Sequence, residues 1–182
     1  MAKLIYGMMQ SLDGYVDRAD GGLALPAPGP GLHRYWNERM ASIAGSIFGR
    51  RMYEVMRFWD GPEAEAAEPD FARAFKASPK WVVSRTLDKV GPNAELLGGD
   101  LRAEVEKLKA SYEGEIDVAG PGIAWSLTEL GLIDEYRMYL MPVVLGSGKA
   151  FFAGAAPVRL ELIGTEQLPE GVALVKYRRT QM

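Results

Sequence analysis

The chain has 182 residues, 48% of them hydrophobic and 25% charged, with a formal net charge of −3. That is the balance of a globular protein of one domain, residues 1–182, without the basic field needed to hold a nucleic-acid backbone. It has no cysteine and one histidine, His33, which excludes thiolate catalysis, disulfides, iron–sulfur clusters and the common zinc sites, so no metal is expected.

The first apolar stretch, Leu4-Ile5-Tyr6-Gly7-Met8-Met9, is too short for a secretion signal, and no window approaches the roughly 20 apolar residues of a membrane span. A cytoplasmic protein with no membrane partner is the expectation. Because this stretch is continuously apolar and ends at Ser11-Leu12-Asp13-Gly14, it predicts a strand buried on both faces that delivers Asp13 to a loop. Residues 17–31 contain Gly21-Gly22, Pro26, Pro28 and Pro30 and predict a long irregular segment, a class of loop that often covers a site.

Leu32, Tyr35, Trp36, Met40 and Ile43 recur at three- and four-residue spacing, predicting an amphipathic helix over 32–43. A short strand, Ser46-Ile47-Phe48, leads through Gly49 to helical spacing over 50–56, so Gly49-Arg50-Arg51 falls at a strand-to-helix junction. Residues 60–70 read as a solvated surface connection before a short helix over 71–77. Lys80-Trp81-Val82-Val83-Ser84 is a strand ending at Ser84-Arg85-Thr86, and Leu101, Val105 and Leu108 mark the next helix, which runs to about residue 112. Ile116-Asp117-Val118-Ala119 is a strand, Gly120-Pro121-Gly122 its turn, and 123–130 a helix closed by Gly131. Strands alternating with helices predict a mostly parallel sheet covered on both faces. Three strands follow over 135–145, 158–167 and 172–179 with no helix-length insert, so the C-terminal third is expected to be antiparallel.

Three strand ends share one chemistry: Phe48-Gly49-Arg50-Arg51, Val83-Ser84-Arg85-Thr86 and Ala119-Gly120-Pro121-Gly122. Ligands of open α/β sheets sit beyond the carboxyl ends of the strands, so these junctions point to one cleft. Glycines let backbone approach a phosphate, helix N-termini supply free N–H groups and arginines supply charge. Taken singly, each glycine is explained by its turn; together they suggest a dinucleotide site spread over three loops. Gly120-Pro121-Gly122-Ile123-Ala124-Trp125 lacks the third glycine of the Rossmann fingerprint, and Gly146-Ser147-Gly148 precedes no clear helix, which argues against an ordinary Rossmann domain. A guanidinium with hydroxyl help, Arg85 with Ser84, suits a 2′-phosphate and favours NADPH over NADH.

On the substrate side, Asp13 is a candidate for a substrate hydrogen bond or simply part of an Asp-Gly turn. His33 is a candidate proton donor or phosphate ligand, or a surface or capping residue. Tyr35, Trp36 and Trp125 form either aromatic walls for a planar ring or core. Met138, Leu140 and Met141 fit a homodimer interface or a buried core.

The segments Ser11-Leu12-Asp13-Gly14-Tyr15, Phe48-Gly49-Arg50, Val118-Ala119-Gly120-Pro121-Gly122, Gly131-Leu132-Ile133-Asp134-Glu135 and Pro142-Val143-Val144-Leu145-Gly146-Ser147-Gly148 resemble the C-terminal reductase domain of bacterial riboflavin-biosynthesis deaminase-reductases. The similarity covers nearly the whole chain. It implies a dihydrofolate-reductase-like α/β fold, with a central mixed sheet, mostly parallel with antiparallel C-terminal strands, and helices on both faces. It also implies a free-standing, NADPH-dependent oxidoreductase acting on a small heterocyclic or ribosylaminopyrimidine-like substrate, and a homodimer. Under the resemblance, Gly49, Arg50 and Arg51 lie near the cofactor's phosphates and Ser84 and Arg85 near the adenosine 2′-phosphate. Gly120, Pro121, Gly122 and Ile123 lie along the pyrophosphate and nicotinamide. Asp13 and His33 are then the catalytic candidates, and residues 17–25 the closing loop. Dihydrofolate reductases carry an acid on the first helix where this chain has His33, which argues against folate reduction. A pterin reductase and a non-catalytic dimeric nucleotide-binding protein of the same fold are the alternatives.

Overall fold

In the computed structural model, residues 1–20, 22, 24–154 and 157–180 are described. The first apolar run forms β1 (Lys3–Gln10), and the turn after it leads to β2 (Tyr15–Asp17). The chain then runs through α1 (Pro30–Ser42), β3 (Gly45–Gly49) and α2 (Arg50–Met56). A 3-10 turn at Arg57–Asp60 leads to α3 (Pro62–Ala67), α4 (Pro69–Ala77), β4 (Lys80–Val83) and β5 (Ala94–Leu97). Next come α5 (Leu101–Ser111), β6 (Glu115–Ala119), α6 (Pro121–Glu129) and β7 (Glu135–Leu140). The chain ends with β8 (Lys149–Ala150), β9 (Leu160–Gln167) and β10 (Ala173–Arg179).

Eight strands form one sheet in the order β5-β4-β3-β6-β1-β7-β10-β9, and β2 pairs with β8 in a separate two-stranded ribbon. The pairs from β5 across to β7 are all parallel, whereas β10 is antiparallel to both β7 and β9. The three C-terminal strands pair antiparallel as expected, in the order β7-β10-β9, and β7 also pairs in parallel with β1 over Ile5↔Glu135 to Gln10↔Leu140, which joins them to the parallel part of the sheet. The expected surface connection over 60–70 contains α3, with Pro62 in its first turn and Glu63 and Glu65 beside the free amides, where negative charge is favourable.

The alternation along the strands divides the core. Leu4, Tyr6, Ile47, Ile116, Val118 and Tyr136 pack under α5 and α6 with Val105, Ala124 and Leu127. The opposite face carries two smaller clusters: Leu32, Tyr139, Met141, Leu168, Val172 and Leu174, and Phe48, Tyr53, Phe71, Phe75 and Val82. Each such side chain contributes about 1.5–3 kcal/mol by leaving water. Because residues of a strand alternate, Glu115 and Asp117 of β6 face away from Ile116 and Val118, toward α1.

There they meet an ionic network. Arg137 donates from Nη1 and Nη2 to the two oxygens of Glu115 at 2.9 and 2.6 Å and from Nε to Glu135 at 2.7 Å. Arg39 of α1 donates to Glu115 at 2.7 Å and also to Asp117. The network fastens the C-terminal half of α1 to the sheet. Its N-terminal end is held by a different acid: Glu170, at the tip of the β9–β10 hairpin, accepts from the amides of Gly29, Gly31 and Leu32 at 2.7, 3.1 and 3.1 Å. A Cβ on Gly29 would stand 2.6 Å from that carboxylate, and one on Gly31 2.7 Å from Pro169, so both glycines are required for the close approach. Among the described residues, no helix is long and apolar enough to cross a membrane.

Candidate active site

Because the strands from β5 to β7 run in parallel, their carboxyl ends share one edge of the sheet. That edge carries, in spatial order, Gly98-Gly99 after β5, Ser84-Arg85 after β4, Gly49 closing β3, Gly120 after β6, Ser11 to Gly14 after β1, and residues 141–148 after β7. The three predicted junctions are thus side by side on neighbouring strands. The fourth, Gly98-Gly99, was missed with the short strand that precedes it; the double glycine was its only local signal.

At the centre, Gly120 has φ +112° and ψ 131°, a conformation open to glycine and strained for other residues. A Cβ there would sit 3.3 Å from the Met52 Cβ, and one on Gly49 3.4 Å from Ile123 Cγ2. These two glycines let α2 and α6 start close together. Pro121 opens α6 and no side chain caps it, so its first free amides face the shared edge. Cβ atoms built on Gly98, Gly99 and Gly122 would meet nothing within 4 Å, leaving room for a ligand to reach the backbone.

The arginines differ in their engagement. Arg50 is exposed and loosely paired with Glu54 at 3.5 Å. Arg51 and Arg85 are exposed and have no ion-pair partner among the described residues. Ser84 Oγ accepts from the amides of Thr86 and Leu87, both at 3.1 Å, and so shapes the turn that presents Arg85. The residues present fit a phosphorylated dinucleotide: free guanidiniums, uncapped helix amides and open glycine backbone on adjoining strand ends.

Asp13 lies at the edge, as expected, with its carboxylate engaged by backbone. It accepts from Leu145 N–H at 3.1 Å and Gly146 N–H at 2.7 Å. Hydrogen bonding from Ser11, then from these two amides, holds its carboxyl below the usual range, so it stays ionised. Together with Leu12 N–H to Val143 O at 2.8 Å and Phe151 N–H to Gly14 O at 2.9 Å, it knits the β1–β2 turn to the β7–β8 loop. The resulting lip exposes Leu12 by 58% and Val144 by 67%.

His33 lies in the first turn of α1, its Nε2 3.8 Å from Glu68 Oε1 at the start of α4. These two residues, with Pro28, Pro30, Arg34 and Asn37, line a cleft of about 370 Å³, within the size range of small-molecule sites. Asn37 turns its buried Oδ1 to no hydrogen-bond partner. The candidate aromatic wall is not assembled: Tyr35 and Trp36 pack on Tyr139, with ring centroids 5.9 and 4.7 Å away, beneath α1, whereas Trp125 lies on α6 beside Phe151 and Phe152, on the other face of the sheet. All three serve packing. Of the expected closing loop, Gly21 and Leu23 lie outside the described residues. Among the described residues, no group of three or more acids and histidines is arranged to hold a metal ion.

The chain resembles known proteins over nearly its whole length. The model of the RibD C-terminal domain matches residues 2–174. An uncharacterized protein of Bacillus subtilis (strain 168), YyaP, is 25% identical over 180 residues, 96% of this chain and 94% of the relative. The crystal structure of a putative riboflavin biosynthesis protein from Shewanella sp. PV-4 superposes over the full length of both chains with a TM-score of 0.74 at 23% identity. Dihydrofolate reductase from Enterococcus faecalis, in complex with NADP(H) and RAB-propyl, superposes over 98% of this chain and 97% of its own with a TM-score of 0.67 at 16% identity. The chain belongs to the RibD C-terminal domain family and has a dihydrofolate-reductase-like fold.

Proposed function

We propose that this chain is an NADPH-dependent reductase of a small heterocyclic substrate of the ribosylaminopyrimidine class. The observation that carries the reading is the convergence of Gly49-Arg50-Arg51, Ser84-Arg85 and Gly120-Pro121-Gly122-Ile123 on three adjoining strand ends, with the glycine-only conformation of Gly120 at their centre. When bound, NADPH supplies the hydride. The chain's own residues bind, orient and exclude water. Arg85, presented by the Ser84 turn, anchors the 2′-phosphate; Arg50 and Arg51 neutralise the remaining phosphates; and the first amides of α6 face the pyrophosphate. Ile123 packs beside Gly49 at the point where the nicotinamide half would lie.

Asp13 acts by holding the 141–148 loop against the β1–β2 turn, and the exposed Leu12 and Val144 give that lip an apolar surface from which water is excluded. His33, facing the cleft beside Glu68, is the proposed hydrogen-bond or proton donor to the substrate.

The same reading includes a homodimer. β9 is the outermost strand of the sheet, its edge is unpaired among the described residues, and it exposes Leu162 by 53% and Ile163 by 44%, the type of edge that natural proteins cover.

Calorimetric titration with NADPH and with NADH tests the proposal. Binding of NADPH at least tenfold tighter than NADH is expected, and failure to bind either cofactor overturns it.

A further inference from the structure

The first turn of α1 carries His33 but has no cap of its own. Gly29 precedes the helix with no side chain to accept its free amides, and the first turn contains no acid. A serine or aspartate at the capping position is the usual local solution. Here the amides of Gly29, Gly31 and Leu32 donate instead to Glu170, which comes from the tip of the β9–β10 hairpin. A local cap steadies a helix wherever it lies, whereas a cap supplied by another element also fixes where the helix end lies.

The hairpin is shaped for this reach. Glu170 has φ +64° and ψ 25°, a left-handed conformation that glycine adopts without strain and other residues rarely take. On either side of it Leu168 and Val172 are buried in one cluster with Leu32, so the hairpin grips the first turn by apolar contact as well as by charge. Its carboxyl is held below the ordinary range, chiefly by the Gly29 and Leu32 amides, so it stays ionised at neutral pH, and its negative charge suits the helix N-terminus.

The grip decides where the His33 ring stands. His33 N–H donates to Gly29 O at 2.9 Å, so its backbone moves with the amides that Glu170 holds. Its Nε2 is 3.8 Å from Glu68 Oε1, and Glu68 is fixed separately, its amide donating to Ala64 O at 2.8 Å where α3 meets α4. Misplacing a reacting group by about 1 Å can cost about 100-fold in rate.

On the reading that His33 is the donor to the substrate of a reductase, we infer that Glu170 is its positioning residue: the hairpin carboxylate sets the first turn of α1 and thereby the place of the His33 ring against Glu68. Glu170 does not line the cleft and acts through His33.

The left-handed φ makes the test selective, because Glu170→Gly removes the carboxylate while relieving the backbone, and it frees the helix amides for acetate. The sole histidine gives one set of imidazole signals in a proton–nitrogen spectrum of the full chain. These signals should shift in Glu170→Gly and return toward their wild-type positions as acetate is added at constant ionic strength, while acetate leaves the wild type unmoved. An unmoved ring, a displacement that acetate does not reverse, or an equal response of the wild type to acetate overturns the inference. Should Glu170→Gly fail to fold, Glu170→Gln decides, since it keeps the length and one accepting oxygen: a shifted ring supports the inference and an unmoved one overturns it.

NADPH oxidation with a ribosylaminopyrimidine gives the second readout. In Glu170→Gly, kcat should fall by about tenfold and recover with acetate, with NADPH affinity within about twofold of wild type; an unchanged kcat overturns the inference. In a His33→Gln background the same substitution should cost less than about twofold, and a full tenfold loss there shows that Glu170 does not act through His33. Should NADPH itself fail to bind, the reductase reading falls, while the ring signals and their rescue still decide whether Glu170 places His33.

Discussion

Replacing Glu115 with glutamine tests the ionic network that seats α1, the helix that carries His33. Burial raises the Glu115 carboxyl, but hydrogen bonds and charge from Arg137 and Arg39 outweigh it and hold the group at about 2 instead of the ordinary 4.5. At about 1.36 kcal/mol per unit of pKa, this depression corresponds to about 3 kcal/mol of stability at neutral pH. That figure is a ceiling, because the side chain keeps 31% exposure and solvent screens the pair. Glutamine also leaves Arg39 and Arg137 with less compensating charge, so a loss of about 2–3 kcal/mol is expected at pH 7.

A depressed carboxylate gives stability that is fully present above its unfolded value, near 4.5, and is lost as pH falls through its folded value near 2. The gap between wild type and Glu115→Gln in urea unfolding should therefore be largest at pH 7 and shrink steadily from about pH 5 toward pH 2. Asp117 is pushed the opposite way, raised by burial against the pull of Arg39; its own contribution falls as pH rises through its folded value. Both proteins retain it, so the difference between them reports mainly Glu115. A gap that stays constant from pH 7 to pH 3, or one under about 0.5 kcal/mol at pH 7, refutes the reasoning.

Arg85→Gln should weaken NADPH binding by about 10- to 100-fold in calorimetry, since a charge-assisted phosphate contact is lost, while NADH affinity stays within about twofold; equal losses for both cofactors would remove Arg85 from the 2′-phosphate. Gly120→Ala forces a side chain into φ +112° and against Met52, so a loss of about 1–3 kcal/mol is expected in thermal or urea unfolding, together with weaker cofactor binding. Unchanged stability in that variant would show that the junction relaxes freely. Leu162→Glu on the outer strand should convert a homodimer to monomer in sedimentation velocity, and a wild-type chain that sediments as a monomer at micromolar concentration would end the dimer proposal.

The parts of this structure that were legible in the sequence are those whose cause is local. Continuous apolar runs around Ile47 and Val82 marked central strands, and Gly120-Pro121 and Gly49-Arg50 marked the junctions, because a turn and a helix start are decided by a few neighbouring residues. What escaped was decided across the sheet. Glu115 and Asp117 alternate with Ile116 and Val118 as on a half-solvated strand, yet the topology sets them opposite Arg137 and Arg39, which the sequence places far away. Glu170 sits in an exposed hairpin, and nothing near it reveals that it holds amides about 140 positions earlier.

Helical spacing fits Trp36 and Trp125 to an aromatic wall or to core alike. The helices that carry them cross opposite faces, a fact set by strand order. For β5, four residues including Glu95 gave too short an apolar pattern to be recognised.

The position of β1 bears on how the chain is made. β1 is a central strand, and its two neighbours, β6 and β7, are synthesised more than 100 residues after it: Lys3 pairs with Glu115 and Gln10 with Leu140. At roughly 5–20 residues per second, the apolar β1 waits on the order of ten seconds for its first partner. Such distant pairings also slow folding after synthesis. During that interval Leu4, Ile5, Tyr6, Met8 and Met9 form an unsatisfied, aggregation-prone segment that chaperones would be expected to shield, so the yield of folded protein in the cell should depend on translation speed and chaperone supply more than the stability of the finished fold suggests.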